Sequence, residues 1–158
     1  MQRNVISIFI LVLAISVIAP DGALARSEGI VAKRSAFSVT ETIDRLEAVM
    51  KSKGFRIFAR ISHSDAAKSI GKEIAAAEIL IYGTPKISVP LLSGNIVAGL
   101  DLPLKALAYE EDDGQVFLVY NHPGYIAKRH QIKGKNKLIG AISRILTNLT
   151  DQAVKDLQ

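Results

Sequence analysis

The segment Asp101–His130 constrains the fold more than any other stretch of this chain. Leu102–Glu110 is rich in aliphatic residues, and Val116–Tyr120 is β-branched and aromatic. Between them lies Glu111-Asp112-Asp113-Gly114-Gln115. Asp-Gly marks a hairpin, because glycine accepts the positive φ that a tight reversal needs. Side chains alternate along a strand. Leu102, Leu104, Ala106 and Ala108 therefore share one face, and Pro103, Lys105, Leu107 and Tyr109 the other. Both faces are largely apolar, which predicts a pair in the middle of a sheet. Lys105 is the exception. A half-buried ammonium must meet a carboxylate, a carbonyl or a bound anion, unless its stem carries it out to the sheet end.

Upstream, Gly29–Arg34 reads as a first strand. Ser38 and Glu41 form an S-x-x-E capping box. Val39, Ile43, Leu46 and Met50 then make one stripe at helical spacing, with Glu47 and Lys51 placed to pair on the wet face. Gly54 stands where the helix would stop. Phe55–Ser62 follows as a strand, with Phe55, Ile57, Ala59 and Ile61 on the core face and two arginines on the other. A short helix capped by Ser64 or Asp65 is predicted up to Ile70. Glu78–Gly83 is a buried strand, and Val89-Pro90 opens a further short helix towards Gly99. After the hairpin, Pro123 suits a first helical position, which makes His122 an unusual N-cap. A final helix is expected over Leu138–Leu157, with Leu138, Ile142, Ile145, Leu149 and Ala153 along one side.

Strands and helices alternate first, and a hairpin and two helices follow. This predicts an α+β domain with a single mixed sheet, a parallel start, a central antiparallel hairpin and helices packed against it. The length of 158 residues suits one domain. The first 25 residues are read as separate from it. Val5–Pro20 is apolar, behind a short basic start, and Ala23-Leu24-Ala25 offers small residues for a cut. That run of about sixteen is short of the roughly twenty a membrane span needs. The expectation is a signal peptide cleaved near Ala25, a periplasmic or secreted domain over residues 26–158, and no stable membrane span after cleavage.

The chain has no Cys, so it has no disulfide framework and no thiol nucleophile. The net charge of +5 favours approach to anionic surfaces or ligands. Basic residues gather only at Lys128–Lys137, aromatics are scarce, and no nucleic-acid motif is present, so no nucleic-acid partner is expected. There is no G-x-S-x-G elbow and no His-rich or calcium-loop spacing, so no metal or cofactor is expected. The acidic run Glu110–Asp113 reads as a solvated turn.

Several short motifs occur in a telling order. They are Thr42–Glu47, Lys53-Gly54-Phe55 with His63, Leu80–Gly83 with Pro85-Lys86, Gly99–Leu107, and Tyr120-Asn121 with Pro123, Tyr125, Ala127 and Arg129-His130. Together, over about residues 29 to 153, they resemble the bacterial domain-of-unknown-function family 302. The resemblance implies a small α+β fold that forms homodimers, with no assigned reaction. It also implies that the family's characteristic polar positions fall on His63, Asp101, Lys105, Asn121 and His130. The chain departs from the family at His122, where Asp is usual, and at Thr84, where Asn is usual.

These residues support three functions. The leading one is non-enzymatic binding of a small or lipid-like ligand by Asp101, Lys105, Tyr109, Tyr120 and Asn121. An alternative is a hydrolase or isomerase with His63 or His130 as base and Lys105 as electrostatic clamp. The third is an interaction module of the cell envelope. Asp101 and Lys105 lie about 13 Å apart on one straight strand, so a direct pair needs an irregularity between them.

Overall fold

The computed structural model describes residues 28–155; the expected signal peptide and its expected cut near Ala25 lie outside them. Five strands form one sheet: β1 (Ile30–Arg34), β2 (Arg56–Ser62), β3 (Ala77–Gly83), β4 (Leu104–Glu110) and β5 (Val116–Asn121). Their order is β1-β5-β4-β3-β2. The α+β class and the central hairpin are as the sequence implies. The parallel start is not: every pairing is antiparallel. β1 and β2 run the same way but occupy opposite edges, so the intervening helix crosses the whole sheet.

That helix, α1 (Val39–Ser52), begins as its capping residues dictate: Ser38 Oγ accepts the Glu41 N–H at 3.3 Å. Val39, Ile43, Leu46 and Met50 are all buried. Gly54 follows at φ +77, and Lys51 meets Glu47 at 2.6 Å. Arg45 lies 3.9 Å from the Phe37 ring centroid and donates to the carbonyls of Ala153 and Lys155. It thus fastens α1 to the far end of α5 (Asn136–Val154), where unpaired carbonyls favour a cation. On α5 the buried stripe runs through Ile142, Leu146, Leu149, Thr150 and Ala153, and Ile145 faces outward.

Strict alternation fails in β2. A bulge between Ile57 and Ala59 shifts the register. Ile57 pairs with Tyr82 on the helix side, but Ala59 and Ile61 face outward with Ile81 and Ile79. Arg60 is turned inward instead, where Glu78 of β3 and Asp44 of α1 bind it. One extra residue reverses every side chain beyond it.

Three short helices complete the domain. α2 (His63–Lys68) is capped by Ser62, two or three residues earlier than Ser64 or Asp65 would allow, with Ser62 Oγ accepting the Asp65 N–H at 3.1 Å. α3 (Pro85–Leu92) starts at Pro85 rather than Pro90, which lies inside it. α4 (Pro123–Arg129) does use His122 as its N-cap: His122 Nδ1 accepts the Gly124 N–H at 3.0 Å. A tight 3-10 helix, Ile96–Leu100, joins α3 to β4.

The two sheet faces differ. Leu80, Tyr82, Leu104, Ala106, Ala108, Leu118 and Tyr120 are buried beneath the helices. The opposite face carries Ile79, Ile81, Lys105, Leu107 and Val119, none of them fully buried, with Ile30, Phe58 and Ile61 exposed around them. The apolar second face of the hairpin is therefore open in the single chain.

Candidate functional site

The ends of β3 and β5 and the start of β4 meet at one end of the sheet. The hairpin bend lies at the other end, where Gly114 has φ +80 and Asp113 accepts the Gln115 N–H at 2.9 Å. At the first end, the 3-10 helix delivers Asp101 just ahead of the cis Leu102–Pro103 bond. Asp101 is thus off the line of β4. It lines a cavity of about 10 Å³ together with Tyr82, Lys105, Tyr120, Asn121 and Ile126. A space of that size holds about one water.

The buried core of this end is an ionisable pair. His130 Nε2 lies 2.5 Å from Asp101 Oδ2, and Arg129 Nη1 lies 3.4 Å from Oδ1. His130 is 5% exposed. Its backbone carbonyl accepts the Asn95 side-chain amide at 2.7 Å, and Asn95 Oδ1 caps the 3-10 helix through the Val97 N–H. One histidine thus binds both ends of that helix to the end of α4.

The predicted site residues divide accordingly. Asp101, Lys105, Tyr120 and Asn121 line one cavity, and His130 joins them through Asp101. Tyr109 is at the far end of β4, stacked on Phe117 with ring centroids 6.0 Å apart. Burial, then the Glu111 carboxylate, pushes the Tyr109 phenol up to about 12. His63 opens α2 on the surface. It follows Ser62, which pairs with Glu78, three places along β3 from the partner of Lys105 and on its other side. That geometry separates His63 from Lys105 by about 10 Å along the strands and about 10 Å across them. The two do not converge. The Lys105 ammonium makes no hydrogen bond or ion pair with any described residue. Among the described residues, no three His, Asp or Glu side chains gather to hold a metal.

Tyr82 is a group the sequence did not single out. Its hydroxyl is buried without a partner among the described residues, and burial pushes the phenol above its ordinary range. Replacing Tyr82 by Phe is expected to leave the unfolding free energy unchanged or raise it by about 1 kcal/mol, because no bond is lost and a desolvated hydroxyl goes. Urea unfolding would check this; a loss above about 2 kcal/mol would reveal a partner for the hydroxyl.

Beside this small cavity lies a wider cleft of about 340 Å³. Its walls include Phe58, Ile87, Leu92, Leu102 and Pro103, with Thr84 and Ser88 at hand and Arg56 as its one charged residue. The Arg56 guanidinium lies 5.3 Å from the Phe58 ring centroid. Gly83 lines it between Phe58 and Pro103, where a Cβ would make ordinary contact with both, at 3.4 and 3.6 Å. Sequence reasoning missed these residues. The only signal was an aromatic and an arginine side by side in β2, opposite two X-Pro turns at neighbouring strand ends.

Fold and site together define a small α+β domain whose antiparallel sheet is covered on one face and ends in an apolar cleft. The crystal structure of an uncharacterized conserved DUF302 protein from Bacillus stearothermophilus has this fold, with a TM-score of 0.72 at 21% identity, over 80% of this chain and 99% of that one. The sequence model of the family described as "Domain of unknown function DUF302" matches residues 31–149, and the chain belongs to that family. Among curated proteins it is similar to "Fluoride-specific ion channel FluC 1" of Brucella suis biovar 1, 39% identical over 104 residues, which is 66% of this chain and 41% of that protein. "Fluoride-specific ion channel FluC 2" of Brucella melitensis biotype 1 matches at the same identity over 38% of its length. The chain thus spans about two fifths of the length of the curated relatives it matches.

Proposed function

We propose that this domain is an exported, non-enzymatic homodimer that binds a small anionic amphiphile, such as a lipid-like carboxylate or phosphate. The wider cleft carries the reading. Its volume of about 340 Å³ falls in the range of small-ligand sites. Its apolar walls suit a hydrocarbon body, and Arg56 at its margin suits an anionic head. The small cavity at Asp101 and Lys105 then has a supporting role, as a rigid frame for the turn that forms one wall of the cleft. The apolar leader supports export. The Brucella relatives, named as ion channels, support a setting close to a membrane.

Native mass spectrometry of the protein purified from its own source tests both parts. The expected spectrum shows a dimer of chains that begin near Arg26, carrying a bound acidic amphiphile. Replacing Arg56 by Gln is expected to weaken binding of a fluorescent fatty acid by about tenfold, the loss of one charge-assisted contact. Equal affinity in the variant, or no uptake by the parent, would discard the cleft as the site. An uncut N-terminus would discard export by cleavage.

A further inference from the structure

We infer that the end of the domain built from α3 and the 3-10 helix docks onto the surface of an anionic phospholipid bilayer. The inference goes beyond ligand uptake and does not need the cleft to be filled. Ile96 and Leu100 are 75% and 73% exposed, and Val89 and Val97 are also more than half exposed. These are the most exposed aliphatic residues on this side of the fold, and they occupy one helix–turn–helix ridge. Residues 97 and 100 lie one turn apart in a 3-10 helix, so they point the same way.

The ridge is held rigidly in its exposed position. Asn95 at its start and Asp101 at its end are both fixed to His130, which is buried. Fixed exposure of large aliphatics is costly in water and marks a contact surface.

Charge identifies the partner. The loop after His130 carries Lys133 and Lys135, and the first turn of α5 carries Lys137, all with solvent access. It packs against the turn before the ridge: a side chain on Gly94 would lie 2.7 Å from Ile132 and 3.2 Å from the Lys135 stem. Only glycine there lets the basic loop come so close. The acidic bend Glu110–Asp113 is at the opposite end of β4, about 20 Å away. Asp101, the acid nearest the ridge, is buried and already paired. Aliphatic tips beside a lysine-bearing segment, with exposed Glu28 at the same end already paired to Lys128, fit a headgroup layer rich in negative lipids. No described helix is long and apolar enough to span a bilayer, so the contact would be peripheral.

Co-sedimentation of residues 28–158 with vesicles tests this. The same fold makes up 99% of the chain in the Bacillus structure. Vesicles of phosphatidylcholine and phosphatidylglycerol in equal parts are expected to bind the protein, and pure phosphatidylcholine far less. Leu100→Asp should lower the partition coefficient about tenfold. Lys135→Glu with Lys137→Glu should lower it by roughly tenfold or more. Leu100 and Lys137 are exposed and the Lys135 ammonium is solvent-accessible, so the circular dichroism spectra should coincide. Equal binding to neutral vesicles, no binding to either, or unchanged binding by Leu100→Asp would overturn the inference. So would a ridge-dependent rise in the mass of the free protein without vesicle binding, which would assign the ridge to a second copy.

Discussion

Asp101→Ala is expected to lower the unfolding free energy by about 3 kcal/mol, the cost of removing one partner from a buried, hydrogen-bonded pair. The carboxylate accepts from His130 at 2.5 Å and from Arg129 at 3.4 Å. Alanine leaves a buried imidazole nitrogen with nothing to bond. Asn keeps a side-chain oxygen in the same place, so Asp101→Asn should lose only about half as much. Combining Asp101→Ala with His130→Ala should cost less than the sum of the two single changes, since the second removes the group the first strands. Urea denaturation of the four proteins measures this cycle. Additive losses would mean that the two side chains are neighbours without being coupled.

The second large effect concerns self-association. Leu107 lies on the open sheet face between Ile79 and Val119, which its register places on either side. Stacking this face against its copy about a two-fold axis would bury the aliphatic rows of both, and places the central strand near the axis. Leu107→Glu puts an unpaired carboxylate into that contact from each copy. At about 3 kcal/mol for each buried charge, the dimer should weaken by a hundredfold or more. Light scattering at micromolar concentration should then give the dimer mass for the parent and the monomer mass for the variant. A parent that scatters as a monomer removes the proposed assembly. The fold of the variant should hold, because Leu107 is not part of the helix-covered core.

What the sequence made legible was local. The capping serine of α1, its apolar stripe, the Asp-Gly bend and the helix-opening Pro123 each depend on a few adjacent residues, and each holds in three dimensions. The errors have a common cause. The bulge in β2 adds one residue without any compositional mark, and it exchanges the roles of Arg60 and Ile61. The order of strands depends on partners far away in the chain, so a βαβ-like opening looked parallel although its strands never meet. Asp101 and His130 are 29 residues apart, and no spacing rule links them. Lys105 is an ammonium among apolar neighbours and does not pair with Asp101, as strand length implies; Asp101 meets His130 and Arg129 instead.

The edge position of β1 governs the order of assembly. Ile30 pairs with Asn121, and Arg34 with Phe117, so the first strand of the described residues finds its partner there more than eighty residues further on. Contacts of such long reach form late and slow the closing of a fold. The sheet of such a domain therefore closes only once β5 is in place to receive β1 along its edge.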